Sequence, residues 1–146
     1  MARRTGGCSV AEQVGDPVPL VASDGSAHRG EILLATALEA ASRNVDNGEP
    51  TGVVVVAAPA YWGPAAIGAL RGALRDRPGL SPGGIPPLIV SDASAALAAL
   101  QANPGLPTRG VVALCDFGGS GSSITLADAG ADLAPIGETL RFGEFS

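Results

Sequence analysis

The sequence predicts an α/β fold, a parallel βαβα segment followed by an antiparallel β meander. Three observations point to it. The run Val53-Val54-Val55-Val56, closing on Ala57-Ala58-Pro59, reads as a strand buried on both faces. A second apolar run, Pro87-Leu88-Ile89-Val90, follows after a stretch of helical period, and strand, helix, strand in that order gives parallel pairing with a right-handed crossover. After Pro107 the helical period stops, and apolar runs separated by glycine turns take its place.

Composition narrows the function classes. The chain has 146 residues, 46% of them hydrophobic, and a mean hydropathy of +0.30, enough for a packed core. Aromatics are 3% while Gly numbers 21 and Pro 12, so that core is aliphatic and small-residue. All nine basic residues are Arg. The absence of Lys from this chain excludes a Schiff-base or Walker A lysine within it. With 14 acidic residues the net charge is −5, which argues against a nucleic-acid surface.

Cys8, Cys115 and His28 offer no zinc spacing, and Cys115 sits in an apolar run where a buried free thiol is expected. No apolar stretch approaches the ~20 residues that span a bilayer. Met1 to Gly7 lacks the apolar segment of a signal peptide. The expected setting is the cytoplasm, with no membrane partner.

Taken in order, residues 1–15 are aperiodic and read as a flexible tail. Val18-Pro19-Leu20-Val21 reads as an edge strand, since Pro19 removes one ladder donor, and Ser23-Asp24-Gly25 closes it with a turn. Ile32, Leu33, Thr36, Ala37 and Ala40 follow helical spacing from Arg29 to Asn44, with Asn47-Gly48 as the stop. A helix with Ile67, Leu70, Ala73 and Leu74 on one face follows Gly63-Pro64, and Pro78-Gly79 ends it. An Ala-rich helix from about Ser94 to Gln101 stops at Asn103-Pro104-Gly105. Val111 to Asp116 reads as a third buried strand, turned by Gly118-Gly119-Ser120-Gly121. Ile124, Leu126, Leu133, Ile136 and Leu140 suggest two more strands about a turn near Ala129-Gly130. The change of pattern at 103–109 is the expected boundary.

Chemistry concentrates at three strand ends: Pro59 to Trp62, Asp92, and Asp116 with its glycine turn. Ligands of α/β sheets sit at such ends. In Asp116-Phe117-Gly118-Gly119-Ser120-Gly121, a carboxylate stands beside backbone N–H groups that can cradle a phosphate, while the carboxylate holds the water shell of Mg²⁺. The same residues also read as a turn whose Asp bonds local backbone. Tyr61 and Trp62 equally read as core closure, His28 as solvent-facing, and Arg71, Arg75 and Arg77 as a solvated helix flank.

The order of the three sites adds a resemblance. Ala58-Pro59-Ala60-Tyr61-Trp62 resembles the V-P-A-Y-F segment of the seventy-kilodalton heat-shock chaperones, the DnaK-type family. Ser91-Asp92-Ala93-Ser94-Ala95-Ala96-Leu97-Ala98 is similar to that family's N-E-P-T-A-A-A-L-A. Asp116 to Leu126 resembles its D-L-G-G-G-T-x-D-V-S-L hairpin, and Gly137-Glu138-Thr139 its G-D-T.

The resemblance covers residues 16–146 and implies a partial actin-like ATPase (ribonuclease H-like) fold. Residues 16–50 would end the outer subdomain of lobe one, 51–104 its inner subdomain, and 107–146 would begin the inner subdomain of lobe two. The chain would then be an internal slice of a longer, divergent member. The resemblance further implies ATP and Mg²⁺ as cofactors of the full-length protein, with client peptides or co-chaperones as partners. Asp116 and Asp92 would do the catalytic work and hold the metal through water. Gly118, Gly119, Ser120 and Gly121 would bind phosphate, and Pro59 and Tyr61 would form an interlobe switch.

Four positions depart from the family pattern. Asp92 stands for a Glu, Gly121 for a phosphate-facing Thr, Ser123 for a second Asp, and Ile67 for an Arg that relays nucleotide state. Three functions therefore stay open: a chaperone-like ATPase, a catalytically decayed actin-like scaffold, and a sugar-kinase-type relative. Alone, the fragment is expected to be inactive, to bind ATP weakly or not at all, and to self-associate through its second-half strands.

Overall fold

The computed structural model describes residues 10–45 and 52–143. They form a mixed α/β structure with one parallel two-stranded sheet and antiparallel sheets elsewhere. The chain divides into two compact units, residues 1–56 with 63–89, and residues 57–62 with 90–146. Two of the three divisions therefore fall within strands and the third between residues 62 and 63; none falls at the expected boundary of 103–109. A pattern change along the sequence marks a change of local structure, whereas compact units follow from which segments pack together.

In the first unit, Leu20–Val21 (β1) and Ala27–His28 (β2) pair antiparallel, with Leu20 opposite His28. Asp24 builds the turn between them by accepting the Ser26 amide at 2.9 Å and its hydroxyl at 2.6 Å. His28 is exposed, as expected, and its Nε2 lies 2.9 Å from Ser26 Oγ. The helix read from the periodicity is Gly30–Val45 (α1). Its stop signal, Asn47-Gly48, lies outside the described residues.

Residues 10–15 do not form the loose tail expected of them. Val10–Gln13 is a 3₁₀ turn packed on α1, and Val14 is buried. A Cβ on Gly30 would come 2.7 Å from the carbonyl oxygen of Gln13, so only glycine lets the turn approach the helix start this closely.

Val55–Ala58 (β3) is followed by Pro64–Arg75 (α2), which begins with Pro in its first turn, where the missing N–H costs nothing. Leu70, Ala73 and Leu74 of α2 are buried, as are Ala35 of α1 and Leu80 of the 3₁₀ turn Pro78–Leu80. Each fully buried Leu contributes about 1.5–3 kcal/mol of transfer free energy. Two carboxylates of α1 are buried as well. Glu31 pairs with Arg29 Nε at 2.9 Å, and Glu39 with Arg43 Nη2 at 2.6 Å.

Leu88–Ser91 (β4) pairs with β3 in the parallel sheet, and the Leu88 amide donates to Val54 O at 2.9 Å. Parallel pairing was expected; burial on both faces was not found. Val53, Val55 and Leu88 are more than half exposed, and burial along β3 alternates before ending at Ala58. A sheet of two strands has one face left for solvent, so the β-branched run serves strand propensity and only half serves the core.

In the second unit, Asp92–Ala102 (α3) begins at the end of β4 and buries Ala93 and Leu97, four residues apart on one helix face. Val111–Gly118 (β5), Gly121–Asp128 (β6), Ala134–Pro135 (β7) and Leu140–Phe142 (β8) form the antiparallel meander, with β6 paired to all three others. Two strands were expected after β5, and three are present. A 3₁₀ turn at Ala129–Ala131 stands where the turn was read.

One face of this sheet packs Val112 and Leu114 of β5 against Leu97, Ala127 and Leu133. The other face is open. Val111, Phe117, Leu126, Leu140 and Phe142 are exposed, and so is Cys115, correcting the expectation of a buried thiol in a doubly buried strand. Strand alternation puts Cys115 opposite in sense to Leu114, and only the Leu114 face meets the core.

Candidate functional site

Four segments of the second unit converge on one cleft of about 190 Å³, lined by Pro59, Tyr61, Asp92, Asp116, Gly118, Ser120 and Gly121, with Ser122, Ser123 and Arg141. Every residue singled out in the sequence as a site residue lines it except Gly119, which forms the hairpin turn with Ser120. The volume lies below the ~300–1,000 Å³ of pockets that enclose drug-sized ligands. It suits a phosphate or diphosphate group better than a whole nucleotide. A neighbouring hollow of about 290 Å³ shares Asp92, Asp116 and Ser123.

Each side chain is placed by its local structure. Ser91 caps α3, its Oγ accepting the Ser94 amide at 2.9 Å, and this fixes the helix start immediately before Asp92. Asp92 Oδ1 then accepts the Ala60 amide at 2.8 Å, joining the turn after β3 to the first residue of α3. That turn closes on itself through Trp62 N and Pro59 O at 3.0 Å.

Asp116 is set by the β5–β6 register. It lies opposite Ser123, and Ser123 in turn lies opposite Arg141 of β8. Cross-strand neighbours share a sheet face, so Asp116, Ser123 and Arg141 form one row across three strands. The hairpin closes at the pair Gly118 and Gly121. Gly121 has φ +143°, and a Cβ there would meet Phe142 O at 2.7 Å. Glycine at this point is a backbone requirement, and the family's Thr would not fit this hairpin without moving β8. Thr139 Oγ1, from the Gly137-Glu138-Thr139 segment, lies 2.8 Å from Thr125 Oγ1 and ties the approach to β8 onto β6.

Arg141 is the site residue that the sequence reading missed. Its guanidinium carbon lies 4.3 Å from the centroid of the Tyr61 ring, and Nη2 donates to Ser120 O at 3.1 Å. Nothing in the sequence near Arg141 marks it. Only the β6–β8 register brings it opposite Ser123, into the row that holds Asp116.

No group of three or more His, Cys, Asp or Glu side chains is gathered among the described residues. Mg²⁺ does not require one, since it keeps several waters and binds through one or two carboxylates plus substrate phosphates. The pair Asp92 and Asp116 beside a glycine hairpin fits that donor set. No helix among the described residues is long and apolar enough to cross a membrane. No family model matches the chain, and no curated protein matches it.

Proposed function

We propose that the chain is part of the nucleotide-binding domain of a chaperone-like, actin-like ATPase working in the cytoplasm, whose full-length form binds and hydrolyses Mg-ATP between two lobes. Client peptides or co-chaperones are its proposed partners. The observation that supports this best is the convergence of Pro59, Tyr61, Asp92, Asp116 and the hairpin residues Gly118, Ser120 and Gly121 on one small cleft. These are the segments whose order resembles the DnaK-type pattern.

In this reading the backbone of Gly118 to Gly121 approaches the phosphate chain, because no side chain stands at Gly118 or Gly121 to hold it off. The Asp116 carboxylate, two residues before the end of β5, orients water by accepting its O–H hydrogen bonds. Asp92 does the same from the start of α3, while its Oδ1 stays bonded to the Ala60 amide. A change at Asp92 is thereby passed to the turn that holds Pro59 and Tyr61. Mg²⁺, when bound, supplies charge neutralisation at the phosphate oxygens, with Asp92 and Asp116 as its holders.

A second reading, a scaffold that binds partners or nucleotide without turnover, draws on Gly121 and Ser123. The backbone at Gly121 excludes the family's threonine hydroxyl, and Ser123 occupies the row between Asp116 and Arg141 without a charge. Asp116→Asn in the full-length protein separates the two. The ATPase reading expects turnover to vanish with thermal stability unchanged. A wild-type protein that binds Mg-ATP with no turnover supports the scaffold, and equal loss of stability and activity makes Asp116 structural.

A further inference from the structure

We propose that the Arg141 guanidinium is the anion-binding group of the cleft, seating a terminal phosphate or diphosphate oxyanion between itself and the hairpin 118–121. The proposal rests on reading the cleft as a phosphate site, and does not depend on turnover. It assigns a binding role to a residue that no motif of the chain contains.

Charge is the first argument. Asp92 and Asp116 both line the cleft, and among the described residues Arg141 is the one basic residue that lines it. The chain has a net charge of −5 and no Lys. Against two carboxylates, an oxyanion needs a cation at close range, and Arg141 is where this unit places it.

Geometry is the second. Asp116, Ser123 and Arg141 share one row on adjacent strands, which sets the backbones of Asp116 and Arg141 about 10 Å apart at the usual strand spacing. The uncharged Ser123 lies between them, so an oxyanion paired with Arg141 on the side of the hairpin 118–121 stays clear of the Asp116 carboxylate. Arg141 is held for this task from two sides, by the Tyr61 ring at 4.3 Å and by Ser120 O at 3.1 Å. Stacking on a ring engages the face of a guanidinium, whereas its five N–H groups lie in its plane and match an oxyanion bidentately. The side chain is also exposed, and so reachable from solvent.

Glycine is the third. A Cβ on Gly121 would lie 3.6 Å from Arg141 Nε as well as 2.7 Å from Phe142 O. The approach to Phe142 O is the one only glycine allows, and it sets the hairpin against β8, the strand that carries Arg141.

The test is titration of the whole chain with inorganic pyrophosphate in EDTA, followed by calorimetry and by emission of Tyr61 and Trp62, the single Tyr and single Trp of the sequence. Wild type is expected to bind in the millimolar range with a change in emission. Arg141→Gln should weaken binding by about ten-fold or more, the loss of one charge-assisted contact, and Arg141→Lys should recover part of it. Asp116→Asn should bind metal-free pyrophosphate at least as tightly as wild type, because it removes a like charge. Folding of each variant is checked by its thermal melt.

Wild-type affinity in both Arg141 variants overturns the assignment and leaves the ATPase reading standing. Absence of any pyrophosphate response in wild type overturns the assignment too. Loss confined to the Arg141 variants, together with a wild-type full-length protein that binds Mg-ATP without turnover, sinks the ATPase reading and leaves Arg141 as the anion group.

Discussion

Asp92 Oδ1 accepts the amide of Ala60 at 2.8 Å, a bond between residues 32 positions apart that joins the first residue of α3 to the turn after β3. A carboxylate that could have been spent wholly on ligand is thus partly structural. It holds in place the turn that carries Pro59 and Tyr61 into the cleft.

That bond separates two substitutions at the same position. Asp92→Ala leaves the half-buried Ala60 N–H without its acceptor and should cost about 1–3 kcal/mol of unfolding free energy. Asp92→Asn keeps an acceptor oxygen and should lie within about 0.5 kcal/mol of wild type, while weakening any Mg²⁺-dependent binding. Urea denaturation of both variants checks it. Equal stability of the two would mean that the Ala60 contact contributes nothing.

A threonine at Gly121, as the DnaK-type pattern has at this point, is expected to disturb the hairpin before it can serve a ligand. With φ +143° and Phe142 O 2.7 Å from the place of a Cβ, Gly121→Ala or Gly121→Thr should destabilise the second unit by about 1–3 kcal/mol. Gly119→Ala is the control, since a Cβ there meets nothing within 4 Å, and its effect should stay within about 0.5 kcal/mol. Denaturation midpoints decide it, and a stable Gly121→Thr chain would refute the backbone argument.

The open face of the meander predicts self-association. Cys115 lies opposite Ile124, which lies opposite Leu140, and Phe117 shares its row with Ser122 and Phe142. Phe117 is 80% exposed and Leu140 59%. Among the described residues the outer edge of β5 pairs with no strand, and an apolar face with an open edge is a template for another copy. The chain should elute as a two-fold dimer at tens of micromolar, and Phe117→Ser with Phe142→Ser should shift it toward monomer. A monodisperse 14.3 kDa wild-type species by light scattering would refute this.

At the β1–β2 turn, the Ser26 hydroxyl, then its amide, hold the Asp24 carboxyl below its ordinary value, with a smaller contribution from His28. A lowered folded-state value means that this contact favours folding above the carboxyl's ordinary value and stops doing so as pH falls through the lowered one. Because Asp24 is fully exposed, the effect belongs in a local titration, not in global stability. NMR should place the Asp24 midpoint lower in wild type than in Ser26→Ala. Coincident midpoints would count against the turn.

The sequence by itself determined the longer strands and helices and, Arg141 apart, where the cleft's residues stand along the chain. Val55–Ala58, Pro64–Arg75, Leu88–Ser91 and Asp92–Ala102 follow from β-branched runs, helical period and Pro or Gly punctuation, all of which are local effects. Asp92, Asp116 and the hairpin glycines were legible for the same reason, because strand ends and tight turns are written in neighbouring residues. Tertiary structure alone decided the rest. Cys115 faces solvent because only the Leu114 side of β5 meets Leu97 and Leu133, and the sequence of β5 is apolar on both sides. Arg141 enters the cleft because β8 pairs with β6 in the register that sets it opposite Ser123, and one residue of slip would turn it to the other face. Register and burial depend on partners distant in the chain, and no local signal encodes them.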